Sequence, residues 1–129
     1  MPSFGHRSEE NLKTIHLHLQ LLLREAIKLM DFTVIEGHRS PERQAQLLTE
    51  KKTKVERSKH NESPSLAVDI APWPIDWEDT KRFYYLAGII RTLASEHGIP
   101  TRWGGDWDSD SDFADNVFND LPHFELKGA

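Results

Sequence analysis

Residues Leu66 to Ala71 alternate with the period of a β-strand: Leu66, Val68 and Ile70 share one face, and Ala67, Asp69 and Ala71 share the other. A carboxylate in the middle of a strand, between two small side chains, costs several kcal/mol if buried without a partner. The fold has to bring a cation, a cluster of donors or a metal to Asp69, and no other segment constrains the chain as strongly.

A second strand, His123-Phe124-Glu125-Leu126, repeats the pattern, with Phe124 and Leu126 pointing one way and His123 and Glu125 the other. If the two strands are neighbours in an antiparallel sheet, Asp69 and His123 converge on its polar face. His60, in the loop feeding the Asp69 strand, is then the natural third ligand. Cysteine is absent, so any metal is held by His and carboxylate. Two imidazoles and one carboxylate suit zinc and leave the fourth tetrahedral position for water, whose pKa zinc lowers towards ~7. Asp120 precedes His123 by three residues, with Leu121-Pro122 enforcing an extended approach, and is placed to accept the proton of that water. On spacing alone the bland alternative stays open: the chain has no His-Glu-x-x-His helix, and Asp69 could accept backbone hydrogen bonds while His60 is a solvated loop residue.

The remaining segments are scaffold. Ser8 followed by Glu9 and Glu10 reads as a helix N-cap with acids in the first turn. Apolar residues then recur at helical spacing from Leu12 through Ile15, Leu19, Leu22 and Leu23 to Met30, which predicts one long helix. His16 and His18 within it project about 200° apart and cannot chelate one ion together. Phe32 to Glu36 is a short strand, Gly37-His38-Arg39 a strand-to-helix turn, and Ser40-Pro41 a cap with proline at the first helical position. Asp76 caps a further helix that turns Phe83, Leu86, Ala87, Ile90, Leu93 and Ala94 inward and stops at Gly98 and Pro100. A short strand lies near Arg102-Trp103. At 129 residues there is room for one domain and not for a linker or a second module.

The net charge of −5 gives the molecule no positive field to attract phosphate backbones, and the run Lys51-Lys52-Thr53-Lys54 lacks interleaved aromatics, so nucleic-acid binding is disfavoured. The N-terminus has no apolar core of signal-peptide length, and no stretch approaches ~18 uninterrupted apolar residues. The expectation is a protein made in the cytoplasm, without membrane insertion, and a monomer.

Ser58-Lys59-His60, Ala67-Val68-Asp69 and Asp120-Leu121-Pro122-His123 resemble the Ser-x-His, Ala-x-Asp and acid-x-x-His elements of the zinc peptidases related to D-alanyl-D-alanine carboxypeptidases and dipeptidases. Gly37-His38-Arg39-Ser40, Pro64 to Asp69, Arg102-Trp103-Gly104-Gly105-Asp106-Trp107 and His123 to Leu126 are more closely similar to the L-alanyl-D-glutamate peptidases found as phage endolysins. The resemblance runs from the first helix to the C-terminus. It implies an α+β fold of the hedgehog-like type, a small mainly antiparallel sheet packed against helices, in one catalytic domain. It implies zinc on His60, Asp69 and His123, Asp120 as catalytic acid/base, and Arg39 facing the substrate to hold a carboxylate or steady the oxyanion. Ser58 and Trp103 are expected at the substrate. The implied reaction is hydrolysis of the L-Ala–D-Glu amide in peptidoglycan stems for host lysis, after release by a separate holin-like factor. The alternatives are a D-alanyl-D-alanine carboxypeptidase of wall remodelling and a zinc-stabilised binding module without turnover. Two departures stand out: Asn61 to Ser65 make the loop between the first His and the Asp longer than is usual in the broader family, and the acid before the last His is Asp rather than Glu.

Asp106, Asp108, Asp110, Asp112 and Asp115 concentrate negative charge before Asp120. The alternation resembles the first half of a calcium loop but lacks the glycine and the distal glutamate of an EF-hand. Calcium is the cation this segment would take; the other reading is a solvated loop.

Overall fold

The apolar periodicities become, in chain order, helix α1 (His6–Leu12), helix α2 (Leu17–Ala26), strand β1 (Phe32–Glu36), helix α3 (Pro41–Thr49), a single 3-10 turn (Lys59–Asn61), strand β2 (Ala67–Pro72), helix α4 (Thr80–Glu96), strand β3 (Thr101–Gly104) and strand β4 (Asp120–Leu126). These elements come from a computed structural model that describes residues 2–50, 58–106 and 120–128. The basic run Lys51 to Lys54 and the acidic residues Asp108, Asp110, Asp112 and Asp115 lie outside those ranges. Among the described residues no helix is long and apolar enough to cross a membrane.

The strands form one antiparallel sheet in the order β1-β2-β4-β3, so the domain is α+β as the sequence predicts. Cross-strand partners Val34 and Ile70, and Val68 and Phe124, put their side chains on the same face. There they join Leu19, Leu22 and Leu23 of α2 and Leu86 and Ile90 of α4 in the apolar core. Each large side chain buried this way contributes about 1.5–3 kcal/mol relative to exposure. The outer edge of β1 is closed by side chains of α1: the Ser8 hydroxyl accepts from the Val34 amide at 3.0 Å, and Asn11 Nδ2 donates to the Val34 and Ile35 carbonyls at 2.9 and 3.1 Å.

The long first helix of the sequence reading is two helices. Its helical spacing is kept, since Leu12, Ile15 and Leu19 are all buried. The chain breaks between them because residues 14–16 pair with the loop that leads to β2. The Ser65 amide donates to the Thr14 carbonyl at 2.9 Å, and the His16 amide donates to the Ser65 carbonyl at 2.8 Å. Ser8 therefore sits inside α1 rather than capping it. His16 becomes the cap of α2 through Nδ1, which accepts from the His18 amide at 3.0 Å, and the two rings meet edge-on with centroids 4.8 Å apart instead of diverging. α4 likewise begins later than expected, with Asp79 at its cap; Asp76 closes the turn before it by accepting from the Glu78 amide.

Trp103, expected at the substrate, is a core residue with 1% of its surface exposed. Its ring stacks on Phe124, meets Tyr84 edge-on, and its Nε1 donates to the Leu121 carbonyl at 2.7 Å. A β3 residue opposite Phe124 has to face the core, which leaves it no surface for a ligand. Trp103→Ala is expected to cost about 3–5 kcal/mol, read as a fall in the urea midpoint, because it opens a cavity where β3 and β4 meet α4.

Candidate metal centre

Strand register carries the first two site residues together. Asp69 on β2 stands directly opposite His123 on β4, on the face away from the apolar core. On the other side of β2, a bulge at Ile35 between Val34 and Glu36 brings Glu36 opposite Asp69. Two carboxylates in directly opposed positions repel. Arg39, from the turn after β1, lies between them: its Nε donates to Glu36 at 2.8 Å, its Nη2 also bonds Glu36, and Nη2 lies 3.7 Å from Asp69 Oδ2. The third guanidinium arm donates to the fully buried Gln44 at 2.8 Å. Arg39, carried over as a substrate residue, is thus held in this structure by Glu36 and Gln44 beside Asp69, with only 10% of its side chain exposed.

His60 comes to the same place from the 3-10 turn. Ser58, expected at the substrate, caps that turn by accepting from the His60 amide at 3.2 Å, while Asn61 Oδ1 accepts from the Ser58 amide in return. The turn is laced to residues 37–39: the Arg39 amide donates to the His60 carbonyl at 2.7 Å, and Asn61 Nδ2 donates to the Arg39 carbonyl at 2.7 Å. His60 is 1% exposed, so its ring has no freedom to turn outward.

The hydrogen bonds of the two rings decide which nitrogens face the centre. His60 Nδ1 lies 2.7 Å from the Gly37 carbonyl, which can only accept, so Nδ1 carries a proton and Nε2 is the nitrogen turned to the centre. Nε2 lies 3.2 Å from Asp69 Oδ1. His123 Nε2 donates to Glu125 at 2.8 Å, and its Nδ1 lies 3.3 Å from the same Asp69 oxygen. Two ring nitrogens converge on one carboxylate oxygen, and all three ligand atoms lie within 4.8 Å of one another. Around a tetrahedral ion with bonds of about 2.0–2.1 Å, adjacent donors are roughly 3.3 Å apart, a spacing that both His–Asp69 pairs match, and the donor set suits a metal in its chemistry. The acceptors that fix the rings, the Gly37 carbonyl and Glu125, are of the type that orients metal-bound histidines. Glu125 was legible as sharing a face with His123, since it lies two residues on along a strand. Glu36 was not, because its position depends on a bulge.

Asp120 reaches the centre through a second irregularity. Trp103 pairs with Phe124, and regular pairing would then set Gly104 opposite His123; instead Gly104 faces Asp120. The slip lies at Leu121-Pro122, where proline has no amide to give a ladder. Gly104 is required there: a Cβ would lie 1.9 Å from the Asp120 carbonyl oxygen. Burial, together with the charge of Asp69, holds the Asp120 carboxyl above its ordinary value despite His123, His60 and Arg39. Asp69 is the reverse case. Burial opposes its ionisation, yet the hydrogen bonds from His123 and His60 hold it well below the usual carboxylate range. Of the acidic run, Asp106 is fully buried and paired with Arg91 at 3.0 Å, so it belongs to the framework rather than to a solvent-facing cation loop.

Burial disfavours the imidazolium of His123, but the bonds to Asp69 and Glu125 outweigh it and push the metal-free group up to about 9. Metal therefore has to displace a proton from His123 at neutral pH. Calorimetry in buffers of different ionisation enthalpy should detect release of about one proton per ion near pH 7, diminishing above pH 9. With chelator present, the contribution of this raised pKa to stability is complete below about pH 6.5 and is lost as pH rises through about 9, to be read from melting temperature against pH. Gly104→Ala is expected to lower activity while leaving metal content unchanged, since it displaces Asp120 and none of the three ligands.

Residues 2–127 match the family described as phage L-alanyl-D-glutamate peptidase. The chain is 32% identical over 120 residues to the L-alanyl-D-glutamate peptidase of Escherichia phage T5, covering 88% of each protein. It is also similar to the crystal structure of the Serratia marcescens L-Ala D-Glu endopeptidase ChiX, with 32% identity and a TM-score of 0.78 over 96% of this chain and 90% of that one. The peptidase class expected from the sequence is the class for which these relatives are named. With its family profile matched almost end to end, its fold shared, and a His-Asp-His cluster where the strands meet, the chain belongs to the phage L-alanyl-D-glutamate peptidase family.

Proposed function

We propose that this chain is a zinc-dependent endolysin that hydrolyses the amide between L-Ala and D-Glu in the peptide stems of peptidoglycan. The observation that carries the reading is the convergence of two ring nitrogens, each with its other nitrogen locked, on a single oxygen of Asp69. Zinc on His60, Asp69 and His123 supplies Lewis acidity for water and for the scissile carbonyl. Asp120 takes the proton of the attacking water and gives it to the leaving amine, a role helped by a carboxyl held above its ordinary value. Arg39 stands beside Asp69, and its charge stabilises the oxygen that becomes negative in the transition state. The enzyme acts as a monomer of one catalytic domain. It reaches the wall after a separate holin-like factor opens the inner membrane.

Digestion of purified muropeptides, analysed by mass, tests the bond. The expected products carry a new D-Glu amino terminus, and a zinc chelator abolishes them; free D-Ala as the product would instead identify a carboxypeptidase. Asp120→Asn should lower kcat by about 10²–10⁴-fold with zinc content unchanged. Wild-type turnover in that variant would remove Asp120 from the mechanism.

A further inference from the structure

Lys59 precedes the ligand His60 in the chain, yet its side chain reaches the strand that carries the other histidine. Its Nζ lies 3.3 Å from Glu125 Oε2 and donates to the Leu126 carbonyl. The other oxygen of the same carboxylate, Oε1, accepts from His123 Nε2 at 2.8 Å. Glu125 is therefore shared, one oxygen to the lysine and one to the ligand. The backbone is stitched at the same place: the Leu126 amide donates to the Leu66 carbonyl at 2.9 Å, and the Leu66 amide donates to the Lys59 carbonyl at 3.0 Å. The carboxylate is 11% exposed and the lysine 29%, so water competes weakly for the Glu125 end of the contact.

We propose that Lys59 is a positioning residue for the metal centre, latching the turn that bears His60 to the strand that bears His123 through Glu125 and the Leu126 carbonyl. A carboxylate with one bonded oxygen can rotate about its last torsion; one bonded at both oxygens cannot. With Lys59 in place, the acceptor for His123 Nε2–H is fixed, and His123 Nδ1 stays aimed at the site. Groups that orient a metal-binding histidine are typically worth about 10–100-fold in metal affinity. The Lys59 side chain meets no ligand atom itself, so its effect passes through Glu125 and the spacing of the two elements.

This inference rests on the reading of His60, Asp69 and His123 as a zinc site, and the test separates the two. Zinc dissociation constants are measured on the full chain by competition with a chromophoric chelator for wild type, Lys59→Met, Glu125→Gln and the double variant. Lys59→Met is expected to weaken zinc binding by about 10-fold. The double variant should bind no more weakly than Glu125→Gln alone, because both changes break one link. Lys59→Arg, which keeps the cation, should recover most of the affinity. If Lys59→Met does not fold, Lys59→Gln takes its place. Zinc binding in the lysine variant equal to wild type, or losses that multiply in the double variant, would overturn the latch. A wild-type protein that takes up no zinc would sink the metal-centre reading and the latch with it.

Discussion

A carboxylate set inside a sheet has to be answered by positive charge or by protons, and the architecture around Asp69 is that answer. Arg39 stands beside one of its oxygens and two imidazoles face the other. The three groups come from three different places: the turn after β1, the 3-10 turn and β4. The same low-dielectric setting that makes Asp69 expensive alone makes its contacts strong once formed. A metal bound there gains from both effects, since its ligands are gathered and their other polar atoms are already occupied.

Regular secondary structure supplies the row of residues, and irregularity aims them. A strict ladder would not set Glu36 opposite Asp69, and it would place His123 opposite Gly104. The bulge at Ile35 and the slip at Leu121-Pro122 change both. Bulges commonly re-aim side chains beside functional sites, and here one lies on β1, next to the Asp69 strand, and the other on β4, the strand of His123. Close approach makes the arrangement possible at two glycines. Gly37 presses its backbone against Asn11 and Thr14, where a Cβ would lie 2.3 Å from the threonine hydroxyl, and its carbonyl fixes the tautomer of His60. Gly104 performs the equivalent service for Asp120.

The two faces of the sheet are bound to each other through this arrangement. On one, Trp103, Phe124, Val68 and Ile70 join the helices in the core. On the other, Ala67 and Ala71 flank Asp69 and are as deeply buried as the core itself. A loosened core would shift β4 against β2 by fractions of an ångström, and a metal site notices displacements of that size. The longer loop from Asn61 to Ser65, a departure from the broader family, pairs with residues 14–16 and splits the first helix in two.

The sequence by itself determined the strands and their inward faces, because period-two alternation is a local property, and it offered His60, Asp69 and His123 as a ligand set that the resemblance rather than the spacing singled out. It also pointed to Asp120, through its spacing from His123 and the proline between them, with the resemblance carried by the same residues naming its role. Only the tertiary structure decided that Trp103 is core, that Asp106 pairs with Arg91, that Arg39 is held by Glu36 and Gln44, and that the first helix breaks. Each of these depends on a partner far along the chain or on a register slip. A local pattern says which way a residue faces, whereas what it meets there is set by strand pairing and loop docking that no short window of sequence contains.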